Sequence, residues 1–371
     1  MRSRAAIMWK TGQPWIVEEV DLDPPQAREV LVRLAASGLC HSDDHARTGD
    51  MPMALPVVGG HEGAGVVEEV GPGVSAVQPG DHVVLSFIPS CGRCAACATG
   101  HQNLCDLGQF LMTGKMIADG GHRVHVRDTT ASTMSLLGTF SEYAVVHETS
   151  VVKIDDDIPL EIAALVGCGV TTGWGSAVHV GQVRPGETVV VVGAGGLGIS
   201  AVQGARLAGA EQVIAVDPVA FKREAALKLG ASEAVASMAE AQPLVADRTR
   251  GRMAEVAILT VGVAHGDMIG PLLALVGKNG RAVITAVTPH HEHTAELPLM
   301  EFTLYQKQLL GNTFGGANPH ADIPKLLRLY QRGLLDLDSM ITSRYSLDQI
   351  NDGYADLLAG RNIRGLIVHE R

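Results

Sequence analysis

The sequence predicts an α/β protein in which a β-rich, barrel-like domain precedes a doubly wound parallel sheet. Three observations predict it. Up to about residue 170, short β-branched runs are broken by Gly, Pro and Asp. Beyond that point the apolar runs lengthen and alternate with helical lengths. A glycine turn, GAGGLG over 193–198, joins the first of these later runs to an Ala-rich amphipathic stretch.

Each element has its own warrant. VLVRLAASGLC (30–40), AGVVEEVG (64–71), GDHVVLSF (80–87) and GTFSEYAVVHETSVVKI (138–154) pair apolar β-formers with turn residues and read as strands of a mostly antiparallel, Gly-rich barrel. ETVVVVGAGGLGISAVQGARLAGAEQVIAVD (187–217) reads as strand, glycine turn, helix and a second strand ending in acid. EVAILTVG (255–262) and GRAVITAV (280–287) repeat the buried-strand signal. The tail holds an amphipathic helix, DIPKLLRLYQRGLL (322–335), then a short helix and a closing strand, RGLIVHE (364–370).

Composition narrows the classes of function. With a net charge of −11 and no Lys/Arg cluster, nucleic acid and anionic membranes are not expected partners. No apolar run is long enough to span a bilayer. MRSRAAIMWKTGQPW lacks the apolar core and cleavage site of a signal peptide, so a cytoplasmic location is expected. Thiols stay reduced there, which makes the six cysteines candidate metal ligands or catalytic groups.

Gly193, Gly195, Gly196, Leu197 and Gly198 belong to a G-x-G-x-x-G hexapeptide that follows the strand TVVVV and opens a helix. Asp217 ends the next strand. This is the context in which such a turn cradles a dinucleotide pyrophosphate at a helix N-terminus. Asp217 can accept hydrogen bonds from ribose hydroxyls, and its charge would repel a 2′-phosphate, which favours NAD over NADP. The alternative is a Gly-rich turn with no nucleotide. Lys222 either flanks the adenosine ribose or is a solvated lysine at a helix start.

Cys91, Cys94, Cys97 and Cys105 form C-x2-C-x2-C-x7-C, a spacing suited to a closed tetrahedral zinc site. An iron–sulfur cluster is the rival, but the fourth cysteine falls too late for the bacterial run. Cys40, in GLCHSDDH, and Cys168, in VGCGVTTGWG, stand apart from this knot, and His61-Glu62 lies between them in sequence. Two cysteines and a histidine could hold a catalytic zinc with one open position. Buried inert cysteines are the alternative, and spacing alone does not choose.

Together these motifs resemble the zinc-dependent medium-chain alcohol dehydrogenases. The resemblance runs from LDPPQAREVLVRLAASGLCHSDDH through LPVVGGHEGAGVVEEVGPGV, the four-cysteine stretch, GCGVTTGWGSA and GAGGLG to RNIRG. It implies a GroES-like catalytic domain over 1–170 with a structural zinc lobe at about 88–110, a Rossmann coenzyme domain over 171–313, and a return to the catalytic domain over 314–371. It also implies two zinc ions per chain. Cys40, His61 and Cys168 would bind the catalytic one, with Glu62 beside it, and Cys91, Cys94, Cys97 and Cys105 the structural one. Ser42 would accept the alcohol proton and His45 deliver it to solvent, with an NAD ribose hydroxyl between them. Asp43 would orient His61. His41 and Arg364 would meet the coenzyme pyrophosphate, Thr172 the nicotinamide, and Met51, Phe87 and Phe110 the substrate channel. Asp44 gains no role and reads as a solvated or capping carboxylate.

The implied activity is hydride transfer between a primary alcohol or aldehyde and NAD. The long segment between Cys105 and GTFSEY is similar to the liver-type branch, mostly dimers, although GKMIADGGHRVHVRDTTASTMSLL is unusual for it. MPMALPVVGGHEGAGVVEEVGPGV and LSFIPSCGRCAACATGHQNLCDLG most resemble an actinobacterial subgroup dependent on N,N-dimethyl-4-nitrosoaniline. That likeness implies tightly bound NAD(H) and an external electron acceptor. A formaldehyde-type enzyme acting on a thiol adduct is the rival, and it would need a cationic group at the channel mouth. A non-catalytic member would have eroded ligands, whereas all are intact, and a zinc-free quinone reductase would lack both cysteine sets. PHHEH (289–293), with His290, His291, Glu292 and His293, reads as a solvated loop. His122 and His125 read as surface residues, His320 as exposed or capping, and Trp174 as packing at the domain junction.

Overall fold

The computed structural model describes residues 1–369. It divides into a first unit, Met1–Cys168 with Asn318–Arg371, and a second, Gly169–Ala317. The divisions fall two to four residues from the 170/171 and 313/314 boundaries expected from sequence.

In the first unit, β1 (Arg2–Met8) pairs antiparallel with β2 (Ile16–Leu22). After β3 (Glu29–Gly38) comes α1 (His41–Thr48), then β4 (Val57–Val58), β5 (Gly63–Val70) and β6 (His82–Leu85). The cysteine lobe contributes only α2 (Ala95–Ala98) and two one-turn 3-10 helices. β7 (Val124–Val126) and β8 (Thr129–Thr133) then complete a closed barrel in the order β1-β2-β7-β8-β4. Alternate residues fill its interior, among them Ala5, Ile7, Val20, Leu22, Val58, Val124 and Val126. β9 (Tyr143–His147), β10 (Val151–Lys153) and α3 (Leu160–Leu165) end this stretch, so the single run expected over 138–154 is two strands split by a 3-10 turn.

The second unit begins with α4 (Gly169–Gly175) and a π-turn at Ser176–Val180. β11 (Thr188–Val192), α5 (Gly196–Leu207), β12 (Gln212–Val216), α6 (Ala220–Lys228), β13 (Glu233–Val235) and α7 (Met238–Arg248) form one half. β14 (Ala254–Leu259), α8 (Ile269–Ala274), β15 (Val276–Ile284), α9 (Leu299–Leu304) and β16 (Gln308–Gly311) form the other. The sheet is wholly parallel, ordered β13-β12-β11-β14-β15-β16. Its central strands are continuous apolar runs because helices cover both faces; Val190, Val192, Ile214, Val216, Ala257 and Leu259 are all buried. The order reverses between β11 and β14, the place where such sheets open a crevice at their carboxyl ends.

The chain then returns to the first unit as α10 (Pro319–Gln331), β17 (Ile341–Tyr345), α11 (Ile350–Leu358) and β18 (Arg364–Val368). The helix expected over 322–335 starts earlier, because the Asn318 side chain caps the amide of His320 and Pro319 needs no hydrogen-bond acceptor there. It also ends earlier, just before Gly333. β3 changes partner along its length. Glu29–Arg33 pair with β9, whereas Ala36, Ser37 and Gly38 pair with β18. That exchange joins β18 and β17 to the sheet β10-β6-β5-β3-β18-β17, with β18 between β3 and the edge strand β17.

His369, just past β18, is 7% exposed. The Ser37 hydroxyl donates to the Thr139 carbonyl at 2.6 Å and accepts from His369 Nε2 at 3.2 Å. Burial pulls this imidazole down to about 4. The unfolded chain therefore binds a proton that the folded chain refuses. Stability from this group is complete above about pH 6.5 and falls as pH drops toward 4, by about 3 kcal/mol. In urea titrations across that window, His369→Gln is expected to flatten the acid loss by this amount; an unchanged slope would contradict the assignment.

Candidate functional site

Three adjacent strands of the first unit end together. Cys40 lies two residues beyond β3, His61 and Glu62 immediately precede β5, and Arg364 opens β18. The register places Gly63 opposite Ser37 and Leu366 opposite Gly38, so these residues meet at one end of the sheet. α3 packs on β3 and β5, and the chain leaving it delivers Cys168 to the same point. The ligating atoms of Cys40, His61, Glu62 and Cys168 all lie within 4.8 Å of one another.

The electrostatics are those of a site built for a cation. His61 Nδ1 lies 3.0 Å from Asp43 Oδ1, which also accepts the Gly60 amide at 3.1 Å. That bond fixes the proton on Nδ1. Nε2 is then the free donor atom of the ring, and it is buried without a hydrogen-bond partner. A hydrogen bond with Cys168 holds the Cys40 thiol well below its usual range, against burial, and His61 and Arg364 pull the same way. Cys168 is correspondingly pushed up by Cys40 and by burial. Burial raises the Glu62 carboxyl to about 7, although Arg364 opposes the rise. The Glu62–Arg364 ion pair is fully buried. The resemblance implies a pyrophosphate contact for Arg364, but here its guanidinium is engaged by Glu62.

The rest of GLCHSDDH forms the start of α1. Ser42 Oγ is 3.7 Å from Cys40 Sγ, and the His41 and His45 rings stand 6.3 Å apart. His45 is 2% exposed and its Nδ1 faces Asp50 Oδ2 at 3.2 Å. Asp50 was not singled out from sequence; its side chain is 24% exposed and accepts a second bond from Thr48. Asp44 is buried and paired with Arg47 at 2.7 Å rather than solvated, because α1 turns it inward. Tyr354 of α11 was also missed. Its hydroxyl donates to the Cys40 carbonyl at 3.4 Å, and its ring packs with Trp15 and Phe140. Only the tertiary fold connects positions so distant in sequence. Phe87 stands edge-on to His61 at 5.6 Å. Met51 packs against the cluster around Trp15 and Leu39, while Phe110 ends a 3-10 turn in the cysteine lobe.

In that lobe Cys91 and Cys97 sulfurs are 4.0 Å apart and Cys94 and Cys105 sulfurs 3.9 Å. A tetrahedral zinc with bonds of 2.3 Å requires about 3.8 Å, whereas a disulfide requires about 2.05 Å. Backbone amides of Asp106 and Cys94 point at the Cys94 and Cys91 sulfurs. The amides of Asp106 and Cys97 draw the Cys94 thiol down to about 6, while burial pushes Cys105 up to about 12. Four thiols crowded this way fit a divalent cation.

The glycine turn lies in the second unit. Gly193 has φ +98°, and a Cβ on Gly198 would collide with the Gly193 carbonyl. Gly196, Leu197 and Gly198 form the first turn of α5, with Gly195 as its N-cap. Thr260 Oγ1 lies 2.7 Å from the Gly193 carbonyl and 3.0 Å from that of Val192. Asp217 Oδ2 accepts the Ala194 amide and Oδ1 the Val219 amide, each at 2.8 Å. Arg223 turns back to this point, donating to the carbonyls of Asp217 and Pro218. Thr172 is buried in α4.

Among the described residues, PHHEH holds no metal-capable group. It is not a free loop either: Glu292 accepts from the Gly266 amide at 2.5 Å and pairs with His265 at 2.9 Å. His125 pairs with Asp23, His122 Nδ1 is buried, and the amide of His320 takes the Asn318 cap. Trp174 is buried in the second unit with its ring edge-on to His179.

Comparison with known proteins adds the following. A family model described as alcohol dehydrogenase GroES-like domain matches residues 26–156, and one described as zinc-binding dehydrogenase matches residues 196–332. The chain is 53% identical over 369 residues to the NDMA-dependent alcohol dehydrogenase of Amycolatopsis methanolica, covering 100% of this chain and 99% of that one. It is 51% identical over 368 residues to alcohol dehydrogenase B of Mycobacterium tuberculosis, covering 99% and 98%. The crystal structure of benzyl alcohol dehydrogenase from Acinetobacter calcoaceticus superposes with a TM-score of 0.92 at 30% identity, covering both chains in full.

Asp43→Asn removes the anion that orients His61. It is expected to weaken the affinity of the Cys40, His61, Glu62 and Cys168 cluster for an added divalent cation by roughly 10–100-fold. The four-cysteine lobe should be unaffected. Competition with a chelator reads both sites separately; equal loss at both would show a general folding defect.

Proposed function

The chain belongs to the zinc-dependent medium-chain alcohol dehydrogenases, and we propose that it moves hydride reversibly between a small primary alcohol or aldehyde and NAD, using two zinc ions per chain. The observation that carries the reading is the buried, unpartnered Nε2 of His61, held by Asp43 among two thiols and a carboxylate. When bound, a zinc ion there supplies Lewis acidity to the alcohol oxygen and NAD supplies the hydride acceptor.

The protein's own groups do the rest. Cys40, His61 and Cys168 form the ligand set, and Glu62 stands beside it, neutralised by Arg364. Ser42 takes the alcohol proton and His45 receives it at Nε2, because Asp50 holds the proton on Nδ1. His45 is itself buried, so the partly exposed Asp50 carboxylate gives the relay its way out to water. The Asp217 carboxylate stands at the end of β12, which supports NAD over NADP. The lobe zinc is structural, since four thiolates leave no open position. Six cysteines placed in two groups that could hold a metal ion, rather than in disulfides, support a cytoplasmic location; no helix of the described residues is long and apolar enough to cross a membrane.

The name of the Amycolatopsis relative states a dependence on NDMA. We extend this to a coenzyme that stays bound here and an external electron acceptor. Denaturing the as-purified protein should then release about one NAD(H) and two zinc ions per chain. Cys40→Ser should release one zinc, keep the lobe metal and lose turnover. Full activity in that variant would refute the ligand set, and absence of released nucleotide would refute the bound coenzyme.

A homodimer is the assembly we propose. β16 is an edge strand, and Leu299, Met300 and Leu304 of the preceding helix are 69%, 77% and 69% exposed. A twofold axis would pair the edge with its own copy and cover these side chains. Sedimentation should show a dimer that Met300→Glu weakens; a wild-type monomer would end this part of the reading.

A further inference from the structure

The C-terminal helix α11 meets the Cys40 segment through a single hydroxyl. Gly353 lets the helix press onto the chain just past β3, since a Cβ there would stand 2.5 Å from Leu39 Cδ1. Asn351 clasps the Trp15 main chain, accepting its amide at 3.0 Å and donating to its carbonyl at 2.9 Å. These two contacts fix the rotation of α11. Tyr354, three residues past Asn351 and on the same face, is therefore driven inward and is 3% exposed. Its ring stands edge-on to Phe140 at 6.1 Å and tilted against Trp15 at 6.2 Å. A phenylalanine would fill this apolar cage as well. Packing leaves the hydroxyl unexplained.

That hydroxyl lies 3.4 Å from the Cys40 carbonyl, long for an O–H···O bond, which is commonest at about 2.7–2.8 Å. The same carbonyl already accepts the Asp43 amide at 3.2 Å. Asp43 itself has the greater need of a donor. Its Oδ1 faces both the Gly60 amide and His61 Nδ1, at 3.1 and 3.0 Å, whereas its Oδ2 is buried without a well-formed bond. Burial raises the Asp43 carboxyl, and His61 and the Tyr354 hydroxyl oppose the rise, so the phenol is within reach of the carboxylate. A carboxylate is the stronger acceptor, and the terminal torsion of an aspartate is soft. A small turn completes the bond.

We propose that Tyr354 is a positioning residue of the metal site, its hydroxyl shared between the Cys40 carbonyl and Asp43 Oδ2. A carboxylate held through one oxygen can pivot about that contact. Held through both, it fixes the direction in which His61 presents Nε2. The same hydroxyl steadies the main chain that carries Cys40, so one O–H joins the supports of two ligands 21 positions apart. The inference deepens the zinc reading above and rests on it.

The test reads metal, not turnover. Cobalt(II) is exchanged into the protein, where a four-thiolate site and a mixed sulfur–nitrogen site absorb differently. Its retention against a chelator is then measured in wild type, Tyr354→Phe, Asp43→Asn and the double variant. Tyr354→Phe keeps the ring. It should loosen cobalt at Cys40, His61 and Cys168 by roughly threefold to tenfold, less than the loss of a direct partner of a ligand. The visible band of that site should shift while the lobe cobalt stays as in wild type. On the Asp43→Asn background the same substitution should cost less than about twofold, because the charged acceptor is gone. Losses that multiply in the double variant, or cobalt held by Tyr354→Phe as tightly as by wild type, overturn the proposal. Equal loss at both sites, the mark of packing alone, overturns it too. Wild type that takes up no cobalt at Cys40, His61 and Cys168 sinks the zinc reading and this proposal with it.

Discussion

Charges taken out of water must be paired, and the centre of the first unit is arranged around that requirement. Asp43, His61, Cys40, Cys168, Glu62 and Arg364 lie together where water is largely excluded. Each ionised group would be strongly unfavourable alone; removing one member of such a buried pair typically costs 3–5 kcal/mol. They are tolerable because each faces a partner of opposite sign or a hydrogen-bond donor, and because a divalent cation among the thiols would complete the balance. The same low dielectric that makes the cluster costly makes it chemically potent.

The sheet supplies the precision. β5, β3 and β18 are neighbours, and continuing their pairing register sets Glu62 against Gly38 and Arg364 against Cys40, two residues further along. A one-residue slip in any of them would turn these side chains to the other face. The switch of β3 from β9 to β18 is therefore more than a fold detail. It brings Arg364 beside Glu62 and Cys40 from the first part of the chain, and a strand ladder is rigid enough to hold them.

The second unit solves a different problem with a similar device. Its parallel strands all present their carboxyl ends on one edge, and the residue after each strand is the one that can face a ligand. Asp217 is bonded to the amide of Ala194 in the glycine turn, so the carboxylate proposed to read a ribose also stiffens the loop proposed to receive a pyrophosphate. Thr260 braces the same turn from the next strand.

The parts legible in sequence were those whose chemistry depends on short spacing. C-x2-C-x2-C, the glycine hexapeptide with Asp217 beyond it, and the apolar runs of the parallel sheet each signal themselves within a few residues. The two-unit architecture followed from the same periodicities. The grouping of Cys40, His61 and Cys168 was only suggestive from spacing, since they stand 21 and 107 positions apart and no local pattern measures a distance across a fold. Other features had no local signal at all. Asp50 behind His45, Tyr354 over Cys40, Arg223 bonded back to the end of β12 and the Glu62–Arg364 pair depend on strand register and helix rotation. Sequence by itself determined which groups the protein owns and which neighbours along the chain share a task. Tertiary structure alone decided which distant groups face each other, because burial and pairing are properties of space rather than of order along the chain.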